Sequence, residues 1–223
     1  MKKLILLTST DSGVGVTACA AGLALRAGNP IHATAAVKLI QTGPARDAAN
    51  ITRISGCAAH EMIRLEPALP PTAAAARMGA ELPSAAAQGT QVVTIAEAVD
   101  TLILIGTGGL LVPLDDDGGT VLDVVRTLLK QLPDTDLETL IVTGSQRGHL
   151  NHAALTAAVL RNNWIEPDGV IIGSWPDEPG EADRAVRKLL PDVVHAPLLG
   201  TLPQGAAMLD PDDFRAGVPT WFG

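Results

Sequence analysis

The sequence predicts an α/β fold: one parallel β-sheet with helices on both faces, in a single domain spanning residues 1–223. Three observations lead there. Short aliphatic runs such as Leu4–Thr8, Thr101–Ile105 and Leu137–Thr143 alternate with longer segments of helical character. The runs are apolar nearly throughout rather than alternating, as strands buried on both faces must be. Hydrophobic residues make up 47% of the chain but aromatic ones only 2%, so the core has to be built from Ala, Val, Leu and Ile, which suits such a sheet under Ala- and Leu-rich helices.

Taken in order, Leu4–Thr8 reads as a strand, followed by a glycine-containing turn and a helix over Val16–Arg26. Ala33–Ile40 is a second strand and Asp47–Ser55 a short helix. The stretch Pro67–Pro83 is rich in Pro and Ala and reads as loops around one short helix, Thr72–Met78. Thr94–Val99 is helical and leads into the strand Thr101–Ile105. Asp115–Gly119 reads as a charged turn rather than a metal site. Then come a helix at Val121–Leu132, a strand at Leu137–Thr143, a helix at His149–Asn162, a strand at Gly169–Ile172, a helix at Glu181–Leu190 and a last strand at Val194–Leu199. With 223 residues the chain can bury a substantial core as one domain, and no repeat or linker divides it.

The bulk properties remove several function classes. A formal charge of −8 argues against general nucleic-acid binding, which needs a basic surface to neutralise phosphates. The apolar run Leu4–Leu7 is too short for a signal peptide, and no run approaches the roughly 18–20 apolar residues of a membrane span. Cys19 and Cys57 lack metal-ligand spacing and read as reduced, half-buried thiols. A soluble cytoplasmic protein is expected, with no membrane and no nucleic acid among its partners.

Ligands of open parallel sheets sit beyond the C-terminal ends of the strands. Four such ends carry unusual sequence. The first, Ser9-Thr10-Asp11-Ser12-Gly13-Val14-Gly15-Val16-Thr17, runs from strand to helix, the setting of a phosphate loop. The amides from Gly13 to Val16 can converge on an anion at the helix N-terminus, and Thr17 can ligate Mg²⁺. Yet the usual pattern has Gly where this chain has Ser9 and Lys where it has Val16, so an ordinary capped βα turn stays open as a reading. The second end is Val37-Lys38-Leu39-Ile40-Gln41-Thr42-Gly43. A lysine near the end of an aliphatic strand is costly unless its ammonium reaches an anion or solvent, and both readings remain open. The third, Ile105-Gly106-Thr107-Gly108-Gly109, marks a close backbone approach, with Ile105 where nucleotide hydrolases present a metal-binding carboxylate. The fourth, Gly148-His149-Leu150-Asn151-His152, opens a helix whose free amides make an anion site; capping or surface polarity is the favoured reading of both histidines.

In order and spacing these four segments resemble the dethiobiotin synthase family, whose members carry G-T-x-T-x-V-G-K-T, K-P-V-x-T-G, E-G-A-G-G and G-x-x-N-H. This chain has S-T-D-S-G-V-G-V-T, K-L-I-Q-T-G, I-G-T-G-G and G-H-L-N-H, and Gly173-Ser174-Trp175-Pro176 and Ala196-Pro197-Leu198-Leu199-Gly200 look like later family segments. The resemblance runs nearly end to end and implies a P-loop NTPase-like fold. It implies a homodimer that uses ATP, Mg²⁺ and CO₂ to close a ureido ring on 7,8-diaminopelargonate in biotin synthesis. It assigns catalytic roles to Lys38 and Thr42, and phosphate or nucleotide contacts to Asp11, Ser12, Gly13, Val14, Gly15, Val16, Thr17 and Ser174. Metal binding falls to Thr17 and Asp47. Substrate contacts fall to Thr42 and Gly108 and, across the dimer interface, to Gly148, His149, Leu150 and Asn151. Val16 replaces the family's loop lysine and Ile105 its metal-binding glutamate. These two losses leave a second expectation beside the enzyme: a non-catalytic paralogue binding a small carboxylate metabolite or a protein partner. A partition- or nitrogenase-type ATPase shares the fold but would carry a lysine at the position of Thr10.

Overall fold

The computed structural model describes residues 1–28 and 33–222. Among the described residues, seven parallel strands form one sheet: β1 (Lys3–Ser9), β2 (Thr34–Thr42), β3 (Ala58–Leu65), β4 (Thr101–Ile105), β5 (Asp136–Gly144), β6 (Gly169–Trp175) and β7 (Leu198–Pro203). Their order across the sheet is β3-β2-β4-β1-β5-β6-β7. The helices are α1 (Val16–Ala27), α2 (Asp47–Ser55), α3 (Pro71–Met78), α4 (Ala85–Glu97), α5 (Val121–Gln131), α6 (Arg147–Asn162), α7 (Glu181–Val194) and α8 (Pro211–Trp221).

Strand order decides where each helix goes. The steps from β1 to β2 and from β2 to β3 run toward one edge, and every later step runs the other way. Crossovers between parallel strands are right-handed, so the two directions of travel place their helices on opposite faces. Accordingly α1 and α2 cover one face and α3 to α7 the other. The buried side chains fall into two clusters to match: Ala20 and Ile51 in one, Ala74, Val92, Val124, Ala153 and Leu190 in the other.

This division leaves the β5–β7 half of the first face short of cover, and α8, absent from the sequence-based reading, supplies it. Asp210 caps its start by accepting from the Asp212 amide at 3.0 Å, and Pro211 opens the first turn, where its missing N–H costs nothing. Phe214 is fully buried and meets Trp221 edge-on, and the Phe222 ring lies against Gly22 of α1. A Cβ at Gly22 would come within 2.5 Å of that ring.

Other elements correct the sequence-based expectations. β3 was unforeseen because its Ala-Ala-His-Glu-Met-Ile-Arg-Leu sequence is mostly half-exposed at the sheet edge. Helix α4 begins at Ala85, well before Thr94, since Ser84 accepts from the Ala87 amide and the Asp115 carboxylate accepts from the Ala85 amide at 2.6 Å. Asp115 thus belongs to a turn, as expected, and is spent on its own backbone and on α4. Helix α7 passes Pro191, and the last strand is Leu198–Pro203 rather than Val194–Leu199. Val186, Leu190 and Val194, one helical turn apart, are all buried, and that burial offsets the roughly 3 kcal/mol that an interior proline costs. Cys19 is fully buried rather than half-buried, which pushes its thiol pKa far up; Cys57 is partly exposed. No helix among the described residues is long and apolar enough to cross a membrane.

Candidate functional site

The chain order reverses around β1, whose neighbours are β4 and β5. At such a switch point the loops leaving adjacent strands diverge and open a crevice. Here the crevice is a cavity of about 790 Å³ at the C-terminal edge of the sheet, walled by the ends of β1, β2 and β6 and by segments following β1, β2, β3, β4 and β7.

Its floor is the loop after β1. Gly13 and Gly15 have φ of 76° and 92°, and a Cβ on Gly15 would lie 1.9 Å from the Gly173 carbonyl oxygen of β6. Only glycine fits that approach. None of the amides from Gly13 to Thr17 has an acceptor among the described residues, so consecutive N–H groups stand free at the start of α1. With the helix dipole behind them they form an anion cradle made of backbone alone. The Val14 side chain turns into the core, leaving its amide for this role. Asp11 accepts from the Ser12 amide at 2.6 Å and so shapes the loop itself.

Lys38 forms the side wall. It is buried, and its ammonium donates to the Gly106 carbonyl at 2.9 Å and lies 3.5 Å from Asp47 Oδ2. Burial pulls its pKa below the usual lysine value, against the upward pull of Asp47 and of Glu61 on β3. The other Asp47 oxygen accepts from the Thr17 hydroxyl at 2.9 Å. Asp47 opens α2 and therefore ties the β1 loop to β2. Thr42, Gly108 and Ser174 also reach the cavity. The ionisable side chains that line it are Asp11, Lys38 and Asp47, one cation against two carboxylates.

The two unusual residues differ in place. Val16 lines the cavity with an apolar side chain. Ile105 does not reach it; the side chain is 2% exposed, within the apolar cluster under α1, and sits in register beside Lys38. The segment Gly148–Asn151 lies at the same edge of the sheet but outside the cavity wall. His149 packs on Gly144 and meets His152 edge-on at 5.9 Å, its Nδ1 buried without a partner.

Several lining residues escaped the sequence-based reading. Gln41, next to Thr42, is 5% exposed and binds the Thr42 carbonyl through Nε2; Thr107 donates to the Ile40 carbonyl. Gly205, Ala206 and Ala207, after β7, close the far end. A glycine following a strand was the available signal for that turn.

For a divalent ion the chain offers the Thr17 hydroxyl and the Asp47 carboxylate, and no group of three His, Cys, Asp or Glu side chains converges among the described residues. Mg²⁺ is ordinarily held by one or two carboxylates with phosphates and waters completing six oxygens, so this pair fits it.

Sheet order and the loop after β1 together define a chain with the P-loop NTPase-like fold. Residues 3–211 match the family described as AAA domain. The fold is shared with a ParA family ATPase from Chlorobium tepidum (TM-score 0.58, 15% identity, 99% of this chain and 93% of that one). It is shared also with the septum site-determining protein MinD from Pyrococcus horikoshii (TM-score 0.57, 16% identity, 98% and 86%). In sequence the chain is 38% identical to the ATP-dependent dethiobiotin synthetase BioD of Streptomyces coelicolor, over 98% of this chain and 91% of that one. It is 39% identical to the protein of the same name from Saccharopolyspora erythraea, over 99% and 97%. The chain belongs to the dethiobiotin synthetase family.

Proposed function

We propose that the cavity is the active site of a dethiobiotin synthetase that closes the ureido ring of dethiobiotin from 7,8-diaminopelargonate, CO₂ and ATP, with phosphoryl transfer slowed by the replacements at 16 and 105. The observation that carries this is the meeting of Lys38, Thr42, Thr17, Asp47 and the free Gly13–Thr17 amides in one cavity. The β1 loop receives the phosphates on its amides. Thr17 and Asp47 would hold Mg²⁺, which when bound would neutralise negative charge on the phosphates.

Lys38 faces the negative charge of the reacting groups. One amine of the substrate adds to CO₂ and loses a proton to give a carbamate, whose oxygen takes the γ-phosphoryl group and releases ADP; the second amine then attacks the carbamate carbon, loses a proton and expels phosphate. A buried ammonium beside this centre stabilises the carbamate and the departing phosphate more strongly than one in water would. Its salt bridge to Asp47 keeps it in place between turnovers. The Thr42 hydroxyl orients the substrate.

The Gly148–Asn151 helix start lies outside the cavity wall of its own chain, which suits the family's use of this segment on the other subunit's substrate, so we read the protein as a homodimer. Its unpaired thiols suit a reducing compartment such as the cytoplasm. A second reading, a non-catalytic paralogue that binds a small carboxylate or a protein partner, is favoured by one observation: Val16 and Ile105 remove a cation and a carboxylate that serve the same MgATP. Dethiobiotin formation by the purified protein separates the two. The enzyme reading expects measurable turnover below the ordinary 1 s⁻¹ or so. No turnover, with calorimetry showing diaminopelargonate binding but no MgATP binding, establishes the paralogue instead. Light scattering that shows a monomer with and without substrate removes the homodimer.

A further inference from the structure

Helix α2 lines the cavity with its first residue and braces one of the cavity's walls from outside. Its first residue, Asp47, binds Thr17 and Lys38 at the phosphate end. Six residues on, about 9 Å along the axis, Arg53 reaches out of the helix to the turn that closes the opposite end. Its Nη1 donates to the Leu209 carbonyl at 3.0 Å and its Nη2 to the Ala207 carbonyl at 2.6 Å. Those carbonyls belong to the short 3₁₀ segment Ala206–Met208 and the residue after it, while Gly205, Ala206 and Ala207 form the cavity wall beyond β6 and Ser174. Ala206 is buried in the apolar cluster under α1, with Ala207 and Leu209 packed against it, whereas Met208 is 80% exposed and the outer side of the turn has two turn hydrogen bonds of its own, Met208 N to Gly205 O and Leu209 N to Ala206 O. A forked guanidinium on two carbonyls two residues apart fixes the segment's position as one lysine ammonium would not.

We infer that Arg53 is a positioning residue for the nucleoside end of the ligand: it holds the 205–207 wall at a set distance from the phosphate cradle, with α2 as the strut. This rests on reading the cavity as a nucleotide site, because only a ligand that spans from the Gly13–Thr17 amides to the far wall senses both ends. A ligand confined to the cradle is indifferent to Arg53. The physical consequence is a selective one. Loss of the fork leaves phosphate affinity intact and removes the part of nucleotide affinity that comes from an ordered wall.

The test is calorimetry with ATP and, separately, with inorganic pyrophosphate on wild type, Arg53→Ala and Arg53→Lys. The expected result is ATP affinity lowered about 10-fold in Arg53→Ala, the effect of roughly one charge-assisted hydrogen bond, with pyrophosphate affinity unchanged and partial recovery in Arg53→Lys. Unchanged pyrophosphate binding also shows that the variant is folded. Equal weakening of both ligands, or no change in either, overturns the inference. If wild type binds pyrophosphate but not ATP, the nucleotide reading itself fails. Hydrogen exchange on the unliganded protein still decides the structural part: faster exchange at the Met208 and Leu209 amides in Arg53→Ala supports the strut, and identical exchange refutes it.

Discussion

Two parts of the cavity are built from different materials. The cradle after β1 is made of backbone: free amides, two left-handed glycines and a helix start. The side wall next to it is made of side chains: Lys38, Asp47 and Thr17, joined by one hydrogen bond and one ion pair. The backbone part tolerates Ser9 and Val16 with its geometry intact, because an amide does not depend on the side chain it carries. The side-chain part has no such insurance. Where the family resemblance implies a carboxylate, this chain has the sec-butyl side chain of Ile105, which belongs to the apolar cluster under α1. The lining side chains then sum to one net negative charge, so whatever anion binds is held chiefly by amides. On the proposed function, binding and chemistry therefore come apart in this chain: the first would survive in the backbone, and the second would rest on Lys38, Thr17 and Asp47.

The largest effect that sharpens this contrast is repair of the side-chain part. Removing one preorganised charged group of this kind costs about 10²–10³ in rate. Restoring both with Val16→Lys and Ile105→Glu is expected to raise dethiobiotin turnover by at least that factor. The two changes are coupled, because both side chains act on one charged ligand. Register places residue 105 beside Lys38, so Ile105→Glu alone draws the ammonium away from its ligand and gains little; it also buries a carboxylate where Ile105 is now 2% exposed. The double variant is expected to exceed the product of the two single gains. A double variant that folds and binds MgATP yet turns over no faster than wild type shows that the missing groups do not limit the chemistry.

Damage to the backbone part comes next. Gly15→Ala combines left-handed strain of about 1–3 kcal/mol with a Cβ that meets the Gly173 carbonyl at 1.9 Å. The loop must leave β6, so pyrophosphate binding is expected to be lost and the melting temperature to fall. Gly13→Ala is the control: its φ is also positive, but a Cβ there meets nothing within 4 Å. Its effect is expected to be the strain alone. Equal melting temperatures for the two variants would show that the close approach to β6 carries no weight.

How much of this could be read from the chain depended on the same division of materials. Strands β1, β4, β5 and β6 declared themselves because burial on both faces forces continuous aliphatic sequence. Edge strand β3, with His60, Glu61 and Arg64 facing partly outward, obeys no such constraint and went unseen. Helix α8 was hidden by Gly217 and Pro219; counting crossover directions against face coverage would have called for it. The glycines of the cradle were legible because positive φ selects that residue. Lys38 and Asp47 were legible one at a time, but their pairing through space was not. Arg53 carried no sequence signal, since an arginine on a solvent-facing helix position looks the same whether or not it reaches two carbonyls 154 and 156 residues away.

Lys38→Met separates function from stability within the side-chain part. Burial already disfavours the ammonium, and exchanging a buried charge for an apolar group of similar length is often neutral or stabilising by about 1–4 kcal/mol. Asp47 keeps Thr17 and is 24% exposed, so it is not left stranded. The melting temperature is expected to hold or rise while turnover falls at least about 10²-fold. A strongly destabilised Lys38→Met would mean that the ion pair supports the fold rather than the chemistry.

The smallest effect tests a side-chain contact away from the cavity, where only stability is at stake. Ser145, buried at the end of β5, donates to Asp183 Oδ1 at 2.6 Å, and the Gly180 amide donates to Oδ2 at 2.8 Å. The Ser145 hydroxyl first, and then the Gly180 amide, hold the Asp183 carboxyl below the usual aspartate value. A group whose pKa is depressed by folding adds stability that is complete above its unfolded value of about 3.9 and is lost as pH falls through the folded one. Ser145→Ala removes the larger cause. Wild type is therefore expected to melt slightly above Ser145→Ala at pH 7, and the gap to shrink as pH is lowered below about 4, where the carboxyl takes up its proton in both proteins. Asp183 is solvent-accessible, so the gap at pH 7 stays small and narrows with added salt. A gap that persists unchanged down to pH 2 would show that the serine acts by filling space between β5 and α7, and that the carboxylate's charge contributes nothing.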